Sequence, residues 1–334
     1  MSRALKLSLG IVVSAVCVWL SMRDVKPAEV WHALSHANYF GFVAVMLTTI
    51  VGFWLRAVRW RSLIAAPRPI STDSLFGATM IGFMANNVLP FRLGEFVRPW
   101  ALARREKMSK TTLLATIVVE RAIDMLTLLG ILGIALLVHP LSTNTEAGRM
   151  TQAGAGVLVV LCVALTAFVI VLERSNRLAQ TMIAWATRPL PEGIRTRVSA
   201  TMAHFIEGLG LFSDLPRLAW VFLLSFVMFG FFAFGLSVSM WALGIDVPWY
   251  GGLIMLVITA IGIMVPAAPG YIGTMHLACI AGLALFGVSK EAAVPFSWFY
   301  WAGQWIPVTA IGLFYLQREG LSLASLGQAQ ESTA

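Results

Sequence analysis

Charge is scarce in this chain. Of its 334 residues only 12% are Asp, Glu, Lys or Arg, 58% are hydrophobic, and mean hydropathy is +0.81. That balance excludes a soluble globular fold and indicates a polytopic helical membrane protein. Alternating apolar and polar strands of about ten residues are missing too, which excludes a spanning β-barrel. The three cysteines, Cys17, Cys162 and Cys279, sit in separate apolar runs without CxxC spacing, so they read as buried thiols rather than ligands or disulfides. The five histidines are scattered, and no Walker A, HExxH or GxSxG sequence occurs. No polar stretch is long enough for a soluble catalytic domain. We therefore expect neither a metal nor another cofactor, and a protein that is not an enzyme. The net charge of +8 is better explained by membrane orientation than by a nucleic-acid partner.

What is present is a set of apolar windows. They run over 5–22, 39–64, 112–138, 153–172, 218–243 and 292–316, each close to the roughly 17–25 residues that cross a bilayer. The first shows no small-residue cleavage site and is expected to remain as a span. Two further segments, about 72–106 and 249–288, are each split by a Pro/Gly break. Pro90 and Gly94 of the first align with Pro266 and Gly270 of the second. Each half should be a helix of about ten to fifteen residues, too short to cross alone, so each segment is expected to be a re-entrant hairpin.

The basic residues orient this layout. With the N-terminus in the cytoplasm and both hairpins re-entrant, seventeen of the 24 lysines and arginines fall on the cytoplasmic side. Four (Arg23, Lys26, Arg149, Lys290) fall outside, and Arg92, Arg98 and Arg121 lie at membrane depth. The first hairpin then enters from the cytoplasm and the second from outside. The expected fold is all-α: two inverted-topology repeats, residues 1–140 and 141–318, with about six full spans, two opposed hairpins and a cytoplasmic tail at 319–334. Within the second repeat, 173–216 reads as a cytoplasmic amphipathic segment. Both termini are cytoplasmic in this scheme, in an inner cell membrane.

Six ionisable residues stand inside apolar sequence: Arg92, Glu95, Arg98, Glu120, Arg121 and Asp124. Each costs about 2.5–3.5 kcal/mol at a helix centre on the insertion scale. Formally they sum to zero, and several share helix faces at three- or four-residue spacing. They can meet around the first hairpin's tip, where Asn86 and Asn87 add amide groups. Each hairpin's second helix should start at mid-membrane, with its N–H groups and positive dipole end facing inward. Gly270 opens that helix in the second hairpin, and His276 follows it. One reading makes Arg92, Arg98, Arg121, Asn86, Asn87, Gly270 and His276 a cradle for an anionic headgroup. Glu95, Glu120 and Asp124 would then orient the arginines or carry protons. The other reading is a self-neutralising scaffold that binds nothing. The aromatic residues of 296–305 and Trp54 with Trp60 read as interface anchors.

Three stretches carry a family resemblance: Asn86–Arg98, Glu120–Asp124 and Pro266–Gly273. Together they resemble the transmembrane region of lysylphosphatidylglycerol synthases, the flippase-like membrane proteins. The resemblance spans nearly the whole chain and implies lipid translocation. These 334 residues include no aminoacyl-transferase domain, so it implies no synthase activity. Tyr271 stands where the family often has glycine, and His276 where a glutamate is expected. The expected partner is a membrane lipid as substrate, with a lipid-modifying enzyme and further copies of the chain in a homo-oligomer left open. A non-transporting partner of such an enzyme and a membrane-embedded transferase are the rival readings.

Overall fold

The computed structural model describes residues 3–64, 68–89, 92–138, 160, 181, 192, 214–264, 268–323 and 326. The described regular elements are all helical. In chain order they are α1 (Arg3–Met22), α2 (Pro27–Ser35), α3 (Tyr39–Leu63), α4 (Thr72–Val88), α5 (Gly94–Glu106), α6 (Lys110–Val138), α7 (Leu215–Ala242), α8 (Gly251–Met264), α9 (Thr274–Ala284) and α10 (Lys290–Arg318). A short 3-10 turn, Pro269–Tyr271, precedes α9. The apolar windows therefore mark the long helices to within a few residues. α3 and α7 are long and apolar enough to cross a membrane. The expected span at 153–172, most of the amphipathic segment, Cys162, Pro90 and Pro266 lie outside the described residues.

Both interrupted segments are helical pairs. α4 and α5 have 17 and 13 residues, α8 and α9 have 14 and 11. At 1.5 Å per residue these helices are roughly 16–26 Å long, short of a ~30 Å hydrocarbon core. α4 is longer than expected because its start is built by a cap rather than by apolar sequence: the Ser71 hydroxyl accepts from the Ser74 N–H at 3.1 Å, with Asp73 in the first turn.

The chain divides into two compact units. One comprises Met1–Val58, Ser71–Glu106 and Val227–Ala334, the other Arg59–Ile70 and Lys107–Phe226. In the first, α10 is the mast. α4, α9 and α2 pack on it, α5 packs on α4, and α8 and α1 pack on α9. Phe53, Met80 and Val308 form one of its buried clusters, walled by Phe76, Phe83, Phe232 and Ile311. Small residues set the closest approach. A Cβ on Gly94 would overlap the Gly82 carbonyl oxygen, and one on Gly82 would stand 2.6 Å from the Arg98 Cβ. Gly94→Ala should force the legs of the first hairpin apart at a cost of about 1–3 kcal/mol. The check is a fall in the unfolding temperature of the detergent-solubilised protein.

In the second unit α6 packs with the last turn of α3 and the first turns of α7. Trp60 is fully buried and its indole N–H donates to Thr116 Oγ1 at 2.8 Å; Arg217 Nε donates to the Ser62 carbonyl at 2.8 Å. This corrects the interface reading of Trp60. Trp54 is 47% exposed, but Trp60 has a buried polar partner and so belongs to the core.

Candidate functional site

The two hairpin breaks meet within the first unit, where α4 packs against the 3-10 turn. Each tip is closed by its own hydrogen bonds. Asn86 Oδ1 accepts from the Gly94 N–H at 2.8 Å, capping α5. Asn87 Nδ2 donates to Thr309 Oγ1 of α10 at 3.0 Å. At the other tip Trp301 Nε1 donates to the Gly270 carbonyl at 2.8 Å, and the Ala268 N–H donates to Ser14 Oγ at 2.7 Å. Asn86 therefore serves the hairpin turn, and the Gly94 N–H expected to face a ligand is occupied by it. Gly270 has φ +73°, and a Cβ there would meet the Trp305 ring nitrogen at 3.0 Å, so only glycine suits this contact.

Between the tips stand Arg92 and Tyr271. The Arg92 guanidinium lies 5.6 Å from the Tyr271 ring centroid, a cation–π contact. Both residues are half-buried and both have positive φ, 54° and 59°. A left-handed non-glycine backbone costs about 1–2 kcal/mol, and strain of this kind concentrates where function over-determines geometry. Arg92 Nε is buried without a hydrogen-bond partner among the described residues. Arg98 is buried beside Gly82, and Glu95 is half-buried on the same helix.

His276 is fully buried. Its Nδ1 accepts from the Gly273 N–H at 3.3 Å, and its ring lies 4.0 Å from that of Trp298, so it caps the start of α9. Of the aromatic residues at 296–305, expected as interface anchors, three lie in the core and three are half-buried. Phe296, Phe299 and Tyr300 are buried, and Trp301 stacks on Trp305 at 5.6 Å. Trp298 and Trp301 also line an apolar cavity of about 620 Å³, together with Val18, Met22, Trp31, Leu34 and Phe42. That volume falls within the range of small-ligand sites. Trp301 thus joins this cavity to the second hairpin tip.

The second unit holds a separate network. Arg59 Nη1 meets Asp124 Oδ1 at 2.6 Å and donates to Ser225 Oγ at 2.7 Å, while Arg59 Nη2 lies 3.4 Å from Glu120 Oε1. Arg121 Nη2 reaches Glu120 Oε1 at 2.9 Å and Asp124 Oδ2 at 3.2 Å. Arg59 and Glu120 side chains are fully buried, Asp124 nearly so, and Arg121 is 36% exposed. Two guanidinium groups here meet two carboxylates. Of the expected six-residue constellation, Arg92, Glu95 and Arg98 belong to the first unit and Glu120, Arg121 and Asp124 to the second. Sequence reasoning missed Arg59, which was counted among the cytoplasmic charges. A signal was present, since α6 contains two carboxylates and one arginine in its apolar stretch and so needs a cation from another helix.

A third cluster sits at the mouth of the first hairpin. Asp73 accepts from the Tyr315 hydroxyl at 2.7 Å, from Arg105 at 2.9 Å and from Arg318 at 3.1 Å, while Arg105 also pairs with Glu319. The Tyr315 hydrogen bond, then Arg105 and Arg318, hold the Asp73 carboxyl below its ordinary value against the opposing effect of burial. These contacts tie both legs of the hairpin to the end of α10.

Comparison with known proteins places this geometry in a family. A family model described as "Lysylphosphatidylglycerol synthase TM region" matches residues 7–312. A curated protein named "Glycosyltransferase AglD", from Haloferax volcanii, is 27% identical over 139 residues. That match covers 40% of this chain and 22% of that protein, so the chain spans about a fifth of the length of the curated relative it matches.

Proposed function

Because the chain belongs to the lysylphosphatidylglycerol synthase transmembrane-region family, we propose that it is a flippase moving a lipid with an anionic headgroup across the inner membrane. The observation that carries this reading is the meeting of two interrupted helical hairpins at Arg92 and Tyr271. Broken helices at corresponding places in two halves of a chain mark transporter binding sites. The architecture we propose has two inverted repeats, about six full spans and two opposed re-entrant hairpins, with both termini cytoplasmic. The substrate class is a phospholipid, polyprenyl-linked glycolipid or hopanoid.

In this scheme Arg92 binds the headgroup in the first unit with Arg98 as a further cation, and Arg121 is a headgroup-binding cation of the second unit in its own right. Asn87, Gly270 and His276 hold the tips in register. The aromatic cavity beside Trp301 receives hydrocarbon while the head crosses. Arg59, Glu120 and Asp124 position Arg121, the exposed member of their network. The protein carries out no covalent chemistry on the lipid. A second reading draws support from the relative named a glycosyltransferase, in which the matched region is 22% of the chain. There this kind of membrane module would serve a lipid-modifying enzyme acting on the same lipid, in cis or as a partner.

The test is headgroup translocation in proteoliposomes with a panel of labelled lipids of anionic, zwitterionic and neutral headgroup. Translocation of one anionic class above protein-free vesicles is the expected result. Well-folded protein that moves none of them, with and without a proton gradient and membrane potential, would favour the partner role.

A further inference from the structure

α2 has two faces. Val30 is buried with Val25 and Val294, and Leu34 packs against that cluster. The other face carries His32 and His36, both exposed. They are four residues apart and so share one side of the helix. Their rings stack with centroids 4.2 Å apart and an interplanar angle of 23°. We propose that this pair is a chelating site for a divalent first-row transition ion such as Zn²⁺, and that it does not take Mg²⁺ or Ca²⁺. The site is independent of the headgroup reading and uses none of its residues.

The tautomer of His36 carries the argument. Its Nδ1 lies 2.9 Å from the His32 carbonyl oxygen. A carbonyl only accepts, so Nδ1 holds the proton and donates it, and Nε2 keeps its lone pair. The same carbonyl accepts from the His36 backbone N–H at 3.2 Å and from the Ser35 hydroxyl at 2.9 Å. Metal-bound histidines are held in this way, the second ring nitrogen donating to a backbone carbonyl or carboxylate. Capping the end of α2 accounts for the His36 bond but makes no demand on His32. The His32 ring forms no hydrogen bond among the described residues, and its contact is the stacked ring of His36. Both rings stand at the C-terminal end of α2, where the helix dipole favours a cation. Imidazole nitrogen suits zinc, copper and nickel, whereas magnesium and calcium prefer oxygen. No third His, Cys, Asp or Glu completes the set among the described residues, so water fills the remaining positions. Helical winding is what brings together two histidines that are isolated in the sequence.

The test is protection from diethyl pyrocarbonate, read at each histidine by mass spectrometry, on the full chain in nanodiscs and without a polyhistidine tag. His276, fully buried, reports unfolding. Zn²⁺ is expected to slow modification of His32 and His36 several-fold, and Mg²⁺ to leave it unchanged. In a chelate each ring depends on the other. Zn²⁺ should therefore fail to protect His36 in His32→Gln, and His32 in His36→Gln. Calorimetric titration with Zn²⁺ should show a site that either substitution weakens by about tenfold or more, since even loss of a ligand's outer partner costs that much. Equal wild-type rates with and without Zn²⁺ overturn the site. Protection of His36 that persists in His32→Gln overturns the chelate, and equal protection by Mg²⁺ overturns its selectivity. Should His36→Gln make His276 reactive, His32→Gln decides, because it removes no side-chain hydrogen bond.

Discussion

Arg59→Gln is expected to cost about 3–5 kcal/mol, the usual penalty for removing one partner from a buried ion pair. Most membrane proteins would not keep a well-populated fold after such a loss. The size follows from what would be left behind. Glu120 and Asp124 have side-chain exposures of 0% and 8% and share Arg59 and Arg121 as their cations. Without Arg59 both carboxylates lose a cation, and the fully buried Glu120 has no water to take its place. Ser225 Oγ would also lose its guanidinium donor. The check is thermal unfolding in detergent of Arg59→Gln, Asp124→Asn and the double variant. Restoring neutrality should return a large part of the loss, giving a coupling well above the 0.2–1 kcal/mol of exposed pairs. If Arg59→Gln unfolds at the wild-type temperature, the network does not hold α3, α6 and α7 together.

The same residue shows where sequence reasoning stops. Helix extents were legible because a bilayer imposes a length: the expected windows at 39–64 and 112–138 correspond to α3 at Tyr39–Leu63 and α6 at Lys110–Val138. The hairpins were legible for a related reason, since their Pro/Gly breaks leave helices too short to cross. Arg59 was not. It sits in the last turns of α3, where the positive-inside rule reads an arginine as cytoplasmic. Its burial depends on two carboxylates on another helix, and no local pattern encodes that pairing. Asn86 shows a different limit. It was expected to contact a ligand, but a short amide beside a left-handed turn is also the natural cap for the next helix, and Gly94 takes it. The close approach of Gly82 and Gly94 brings that carbonyl and amide within reach, and it appears only when the two legs are packed.

Arg92→Gln is expected to abolish most translocation while leaving stability nearly unchanged, which separates it from every change in the Arg59 network. Its charge-assisted bonds to a headgroup would be worth about 1.5–3 kcal/mol, or roughly 10- to 150-fold in transport efficiency. The backbone gives no reason for a stability loss. Arg92 already has φ +54°, and glutamine meets the same strain there as arginine. The cation–π contact with Tyr271 is half-buried, worth about 0.5–1 kcal/mol at such sites. Glu120→Gln provides the contrast. Glu120 is fully buried, accepts from Arg121 and forms an ion pair with Arg59, so its neutralisation should lower the unfolding temperature together with transport. Parallel measurement of unfolding temperature and initial flux therefore sorts the two clusters by role. Flux lost at constant stability in Arg92→Gln places the headgroup at the hairpin tips. Flux retained there, with flux lost in Arg121→Gln at constant stability, would move it to the exposed arginine of the second unit.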